Sequence, residues 1–234
     1  MKGAETSLSS EEASSRLAAV QKEITLAAVK AGRAPEDITL LAVSKTFPME
    51  SVEAFISAGQ RDFGESYIQE AREKIPNVKG KAHWHFIGHL QTNKAKYAVK
   101  LFSVLHALDS LELALELNKR LVPLDAKIEA YVQVNVSGEG TKSGLEPEEL
   151  SSFLDSLASY PAVVPVGLMT MPPYDPDPEV SRPFFRKLYE LKEKCAPSLK
   201  GLSMGMSGDF PVAIEEGATI VRVGTSLFGA RNYA

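Results

Sequence analysis

Several things are scarce or missing in this chain of 234 residues, and each absence narrows what it can be. A single cysteine, Cys195, allows no internal disulfide, which fits a reducing compartment. No apolar run approaches the ~20 residues that span a bilayer. The polar opening MKGAETSLSSEEASS lacks the apolar stretch of a secretory signal. Basic charge is not in excess: 26 Lys and Arg face 30 Asp and Glu, a net charge of −4. A nucleic-acid-binding surface is therefore not expected. Neither a phosphate-binding P-loop nor a G-x-G-x-x-G fingerprint occurs. No Pro/Gly/Ser-rich linker divides the chain, and 44% hydrophobic with 24% charged residues is ordinary globular usage. One soluble, cytoplasmic domain over residues 1–234 is expected.

What is present alternates. An amphipathic helix opens the chain, with Ser9 or Ser10 as its cap, Glu11 and Glu12 in its first turn, and Leu17, Val20, Ile24 and Ala28 on its apolar face. The short apolar run Ile38–Val43 reads as a buried strand. Further strands are expected near Asp62–Gly64, His83–Ile87, Phe102–Ala107, Lys127–Val136, Val163–Leu168, Gly201–Met204 and Ile220–Val223. Helical patterns fill the gaps at 49–58, 67–74, 91–99, 110–121, 148–159, 179–194 and 210–216. Alternating β and α elements imply a parallel α/β sheet. Eight units at this length suggest a (β/α)8 TIM-type barrel with an extra N-terminal helix. A doubly wound open sheet is the competing architecture.

Barrel chemistry sits at the carboxyl ends of the strands. Lys45 falls there, flanked by Leu40, Leu41, Ala42 and Val43, where a partly desolvated amine is suited to Schiff-base formation. A surface lysine capping a strand end is the plainer alternative. Two small-residue loops follow the last two strands, 203–209 and 222–226. Their backbone N–H groups, with the Ser207 and Thr225 hydroxyls, can meet an anion where barrel enzymes often hold phosphate. A lysine and a phosphate site at one mouth suggest a phosphorylated carbonyl compound, either pyridoxal 5′-phosphate (PLP) or a sugar phosphate.

The segments Ala42-Val43-Ser44-Lys45-Thr46, Phe63-Gly64-Glu65, the run from His85 to Lys94, Gly167-Leu168-Met169-Thr170-Met171, Leu202-Ser203-Met204-Gly205-Met206-Ser207 and Val221-Arg222-Val223-Gly224-Thr225 together resemble the YggS/PROSC family. Those are the pyridoxal phosphate homeostasis proteins, and the match runs from about Ile38 to Arg231 with the motifs in the same order. The resemblance implies a monomeric barrel of the alanine-racemase, fold-type III kind, without that enzyme's C-terminal β-domain. It implies PLP held as a Schiff base on Lys45, no established turnover and no catalytic residues as such. By motif position, Ser207, Gly224 and Thr225 hold the phosphate with help from the Met206 amide, and Arg222 faces the pyridine nitrogen. A guanidinium only donates, so it favours an unprotonated ring nitrogen and a poorer electron sink. One departure is visible: the family's Gly-Glu-Asn-Tyr reads Gly64-Glu65-Ser66-Tyr67 here, so the contact made by Ser66 is expected to be weaker.

The function implied is to buffer or deliver PLP, with apo PLP-dependent enzymes as candidate recipients. The chain stops at Ala234, soon after the eighth strand, so a β-domain bearing a second acid/base is not expected. The alternative is a PLP-dependent amino-acid racemase of low activity, with Tyr67, Tyr174 or Tyr233 as that base; a Schiff-base aldolase ranks third. His83, His85 and His89 have zinc-like spacing but no acidic or cysteine ligand beside them, so no metal is expected. His85 is instead expected to line the cofactor pocket. Lys94, Lys96 and Lys100 read as a solvated helix face, and Met169, Met171, Met204 and Met206 as packing at the barrel mouth. Lys142, in a glycine-rich loop at the same end, is a candidate to receive PLP from Lys45 during hand-off.

Overall fold

The computed structural model describes residues 8–139 and 143–230; Lys142 and Tyr233 lie outside the described residues. Helix α1 (Ser10–Lys30) is closed by a reciprocal cap. The Glu12 amide donates to Ser9 Oγ, and Glu12 Oε2 accepts from the Ser9 amide, which settles the cap on Ser9. Its buried stripe is Ala13, Leu17, Val20, Ile24, Ala27 and Ala28, one helical face laid against the rest of the molecule.

Eight parallel strands follow: β1 (Thr39–Val43), β2 (Asp62–Glu65), β3 (His83–Phe86), β4 (Val104–Leu108), β5 (Ile128–Gln133), β6 (Val163–Met169), β7 (Gly201–Met206) and β8 (Ile220–Val223). They pair in sequence order, and β8 returns to β1 with Leu40 opposite Val221 and Ala42 opposite Val223. The sheet is a closed barrel, so the open doubly wound alternative falls. Helices α2 (Met49–Ser57), α3 (Ile68–Lys74), α4 (Ala95–Leu101), α5 (Leu111–Leu121), α6 (Leu150–Leu157), α7 (Arg182–Cys195) and α8 (Phe210–Glu215) occupy the connections. A short helix α9 (Thr225–Phe228), not anticipated from the sequence, follows β8.

The main apolar core lies between strands and helices, where alternate strand residues such as Leu40, Ala42, Phe63, Phe86, Leu202, Val221 and Val223 meet helix faces. A smaller cluster fills the barrel interior and includes Leu41, Val104, Tyr131, Met169 and Ile220. The interior is unusually polar around that cluster: His85, His106, Ser203 and Arg222 are all buried there. Among the described residues no helix is long and apolar enough to cross a membrane. β5 is shorter than the expected 127–136. Beyond Gln133, Val134 still bonds Met169 and Thr170 at the end of β6 but otherwise makes an isolated bridge to Leu145, and Asn135 Nδ2 binds the Glu139 carbonyl.

Candidate functional site

Strand alternation brings the site residues inward. Leu41 and Val43 face the barrel axis, and Lys45, two residues on, continues that side over the mouth. On β8 the same period places Ile220 and Arg222 inside, with Val221 and Val223 outside. Since β8 lies beside β1, Lys45 and Arg222 meet across the seam, and one cavity of about 240 Å³ is lined by Val43, Lys45, Met206, Ser207, Arg222, Gly224 and Thr225, among others. Six of the eight residues expected to bind cofactor therefore share it. Ser66 lines a second cavity of about 610 Å³, which shares Lys45, Ile87, Met171 and Met206 with the first.

Lys45 is half-buried, in a turn that is held hard in place. The next residue, Thr46, is left-handed with φ 70°, a position that costs a β-branched residue about 1–3 kcal/mol. Its amide donates to Glu70 Oε1 at 2.7 Å. Lys74 Nζ reaches the Ser44 carbonyl and Glu65 Oε1, both at 2.9 Å, as well as Glu70. The Ser44 hydroxyl donates to Glu65 Oε1 at 2.7 Å. Glu65 is fully buried, and among the described residues its Oε2 has no partner. Burial pushes its carboxyl above the usual range, against the pull of Lys74.

The opposite wall is made of β7 and β8. Arg222 donates through Nη1 to the Ser203 carbonyl (2.8 Å) and hydroxyl (2.7 Å), and through Nη2 to the Thr170 carbonyl (3.0 Å). Burial pulls its pKa down to about 10, opposed by Asp209, so it stays charged at neutral pH. Its Nε–H and second Nη2–H are unpartnered among the described residues, at the cavity wall. Ser207 Oγ accepts the Gly224 amide at 3.1 Å, which leaves the hydroxyl hydrogen to donate elsewhere. The amides of Ser207, Gly208, Thr225 and Ser226 likewise make no hydrogen bond to the described residues.

Two expectations are corrected. The Met206 amide donates to Asp209 Oδ1 at 2.6 Å and is not free to meet an anion; Met206 lines the cavities by its side chain. Asp209, whose other oxygen accepts from Ser181, was missed because nothing in spacing distinguishes it from an ordinary loop acid. His85 does not reach this mouth. It lines a cavity of about 640 Å³ at the amino-terminal ends of the strands, with Asp62, His83, Glu129 and Tyr131, because alternation places it one inward step below Ile87. Of the three histidines with zinc-like spacing, His83 and His85 both lie by Asp62, His85 also by His106, and His89 stands apart by Asp109. Of the tyrosines, Tyr174 lines the first cavity at 85% exposure and Tyr67 the second at 54%. Met169 and Met204 are core residues, while Met171 and Met206 belong to the mouth.

The family described as alanine racemase, N-terminal domain, matches residues 16–232. A pyridoxal phosphate homeostasis protein of Aquifex aeolicus is 45% identical over 223 residues, covering 93% of this chain and 98% of that protein. The protein of that name from Escherichia coli K12 is 40% identical over 226 residues, covering 93% and 96%. The structure of PipY from Synechococcus elongatus with PLP bound superposes with a TM-score of 0.80 at 34% identity, over 93% of this chain and 100% of that one. Alanine racemase from Corynebacterium glutamicum shares the fold alone, at 18% identity and TM-score 0.67, with 61% of that chain covered.

Proposed function

This chain belongs to the alanine racemase N-terminal domain family, among its pyridoxal phosphate homeostasis proteins, and from that premise we propose that it binds PLP at the carboxyl-terminal mouth and buffers or delivers it. PLP brings an aldehyde that condenses with an amine, a phosphate dianion and an electron-withdrawing pyridine ring. The observation that carries the reading is the convergence of Lys45, Arg222, Ser207, Gly224 and Thr225 on one cavity.

The residues present fit that group. Lys45 supplies the amine for the Schiff base. The Ser207 and Thr225 hydroxyls and the unpartnered amides beside them supply neutral donors for phosphate. Arg222 aims its two remaining N–H groups from the wall, so a ring nitrogen placed there accepts and stays unprotonated. Carbanion chemistry is thereby disfavoured.

The reading as a carrier and not a catalyst rests on the tyrosines as well. A racemase needs a second proton donor and acceptor across the substrate from Lys45. Tyr67 and Tyr174 are largely exposed, and among the described residues neither side chain has a hydrogen bond to orient it. The protein is read as a cytoplasmic monomer that passes PLP to apo-enzymes.

An absorbance scan of purified protein with PLP, before and after borohydride, tests the site. The expected result is a visible band that borohydride removes and that Lys45→Ala lacks. No band in the wild type after PLP addition would overturn the proposal. Incubation with L-alanine and chiral analysis tests the carrier reading, with racemisation below ~1 s⁻¹ expected, the low end of ordinary enzyme rates.

A further inference from the structure

The polar interior of the barrel is a single ordered series. Arg222 Nη1 donates to Ser203 Oγ (2.7 Å), Ser203 Oγ lies 2.8 Å from His106 Nδ1, His106 Nε2 lies 2.9 Å from His85 Nδ1, and His85 Nε2 lies 3.4 Å from Asp62 Oδ1. It starts at the wall of the PLP cavity and ends at the cavity of the opposite mouth. Because β4 and β7 are not neighbours in the sheet, the His106–Ser203 bond crosses the barrel axis.

Its two ends determine the direction of every bond. Arg222 only donates, so Ser203 Oγ accepts from it and has one hydrogen left to give. His106 is wholly buried, and burial, helped by His85 and Arg222, holds it well below its ordinary pKa; it is neutral, with one N–H. If Ser203 donates to Nδ1, that N–H is on Nε2 and points at His85 Nδ1. His85 then carries its own proton on Nε2, towards Asp62. For Asp62, burial works upwards but is outweighed by His85 and His83, so the carboxyl lies below its usual range and accepts. The reverse order leaves the fully buried Ser203 hydroxyl without an acceptor among the described residues. The other titratable groups facing the series are His83 on β3, Glu129 and Tyr131 on β5, and Lys127 just before β5.

We propose that His106, fixed in the Nε2–H form between Asp62–His85 and Ser203, is a positioning residue that holds the Arg222 guanidinium in its orientation toward the cofactor. Asp62, at the far mouth, is the anchor of that orientation. The effect on the cofactor rests on the PLP reading; the proton arrangement does not.

Side-chain 15N spectra of the histidines in the PLP-free protein at neutral pH test it, together with PLP titrations of the wild type, Ser203→Ala and Asp62→Asn. The expected wild-type pattern is pyridine-like Nδ1 and pyrrole-like Nε2 on both His106 and His85. Asp62→Asn removes the charge but keeps the shape, so His106 goes to an average of two forms and PLP affinity falls severalfold. Ser203→Ala removes a hydrogen bond to a charged group and weakens PLP binding roughly tenfold. A protonated Nδ1 on wild-type His106 would overturn the inference. So would an Asp62→Asn protein whose His106 spectrum and PLP affinity match the wild type, which keeps the test decisive if Ser203→Ala does not fold. Failure of the wild type to bind PLP would instead sink the cofactor reading and leave the spectra to be judged alone.

Discussion

Lys74 lies where water barely reaches: its side chain is 7% exposed, beside a Glu65 that is fully buried. Removing one member of such a pair leaves the other charged and unpaired, so Lys74→Met is expected to cost about 3 kcal/mol in urea denaturation. It should also loosen the Lys45 turn, since Lys74 grips the Ser44 carbonyl. Glu65 gives a pH signature. Burial raises its folded pKa above the ordinary value of a glutamate, so the native state binds that proton more tightly. The stability it contributes is fully present below about pH 4.5 and lost as pH rises through the raised value. Glu65→Gln has no such loss, so its stability relative to the wild type should climb as pH rises above 4.5; a flat difference would contradict the assignment. At this scale the site was only half legible. Lys45, Ser207 and Thr225, which the structure brings to one cavity, can be singled out because strand ends and glycine-rich loops are written locally. That Asp209 takes the Met206 amide is not legible, because spacing does not distinguish Asp209 from an ordinary loop acid. His106 went unseen because alternation tells that a residue faces inward, not what faces it across the lumen.

At the scale of elements, the strands were the easiest to read, being short, apolar and bounded by glycine, proline or charge. The helices at 91–99, 148–159 and 179–194 begin instead with 3₁₀ turns, at Thr92–Lys94, Pro147–Glu149 and Pro178–Ser181. An apolar repeat does not distinguish the tighter winding at a helix start from the α-helix it leads into. Packing between elements sets a sharper demand. A Cβ on Gly167 of β6 would come 2.3 Å from the Gly201 carbonyl oxygen of β7 and 2.6 Å from the Tyr131 ring. Backbone cannot yield as a flexible side chain does, so Gly167→Ala is expected to destabilise by about 2–3 kcal/mol in the same denaturation assay. For α1, Leu17→Ala deletes a member of its buried stripe and should cost about 2–4 kcal/mol. Arg16, one residue earlier, donates to the Leu227 carbonyl of α9, which ties the first helix to the segment that carries Thr225.

For the whole molecule, closure is the decisive fact and the one least visible beforehand, because the β1–β8 ladder joins segments far apart in the chain. A ligand seated between Lys45, Ser207 and Thr225 bridges that seam and binds only the folded state. At PLP about 100 times its Kd the gain in stability should be about 2.7 kcal/mol, read as a shift in the urea midpoint. Lys45→Ala should lose most of that shift, and hydrogen exchange at β1 and β8 should slow together on binding. Exchange that slowed on one side alone would argue against a bridging ligand. The seam also sets an order of events during synthesis. The ribosome delivers Lys45 early and Arg222, Gly224 and Thr225 late. If PLP is held as proposed, a growing chain has its amine early but gains the Ser207, Gly224 and Thr225 donors only when the final strand slots in beside the first. On that proposal, retained PLP would mark a chain that has reached past the eighth strand and whose ring has shut.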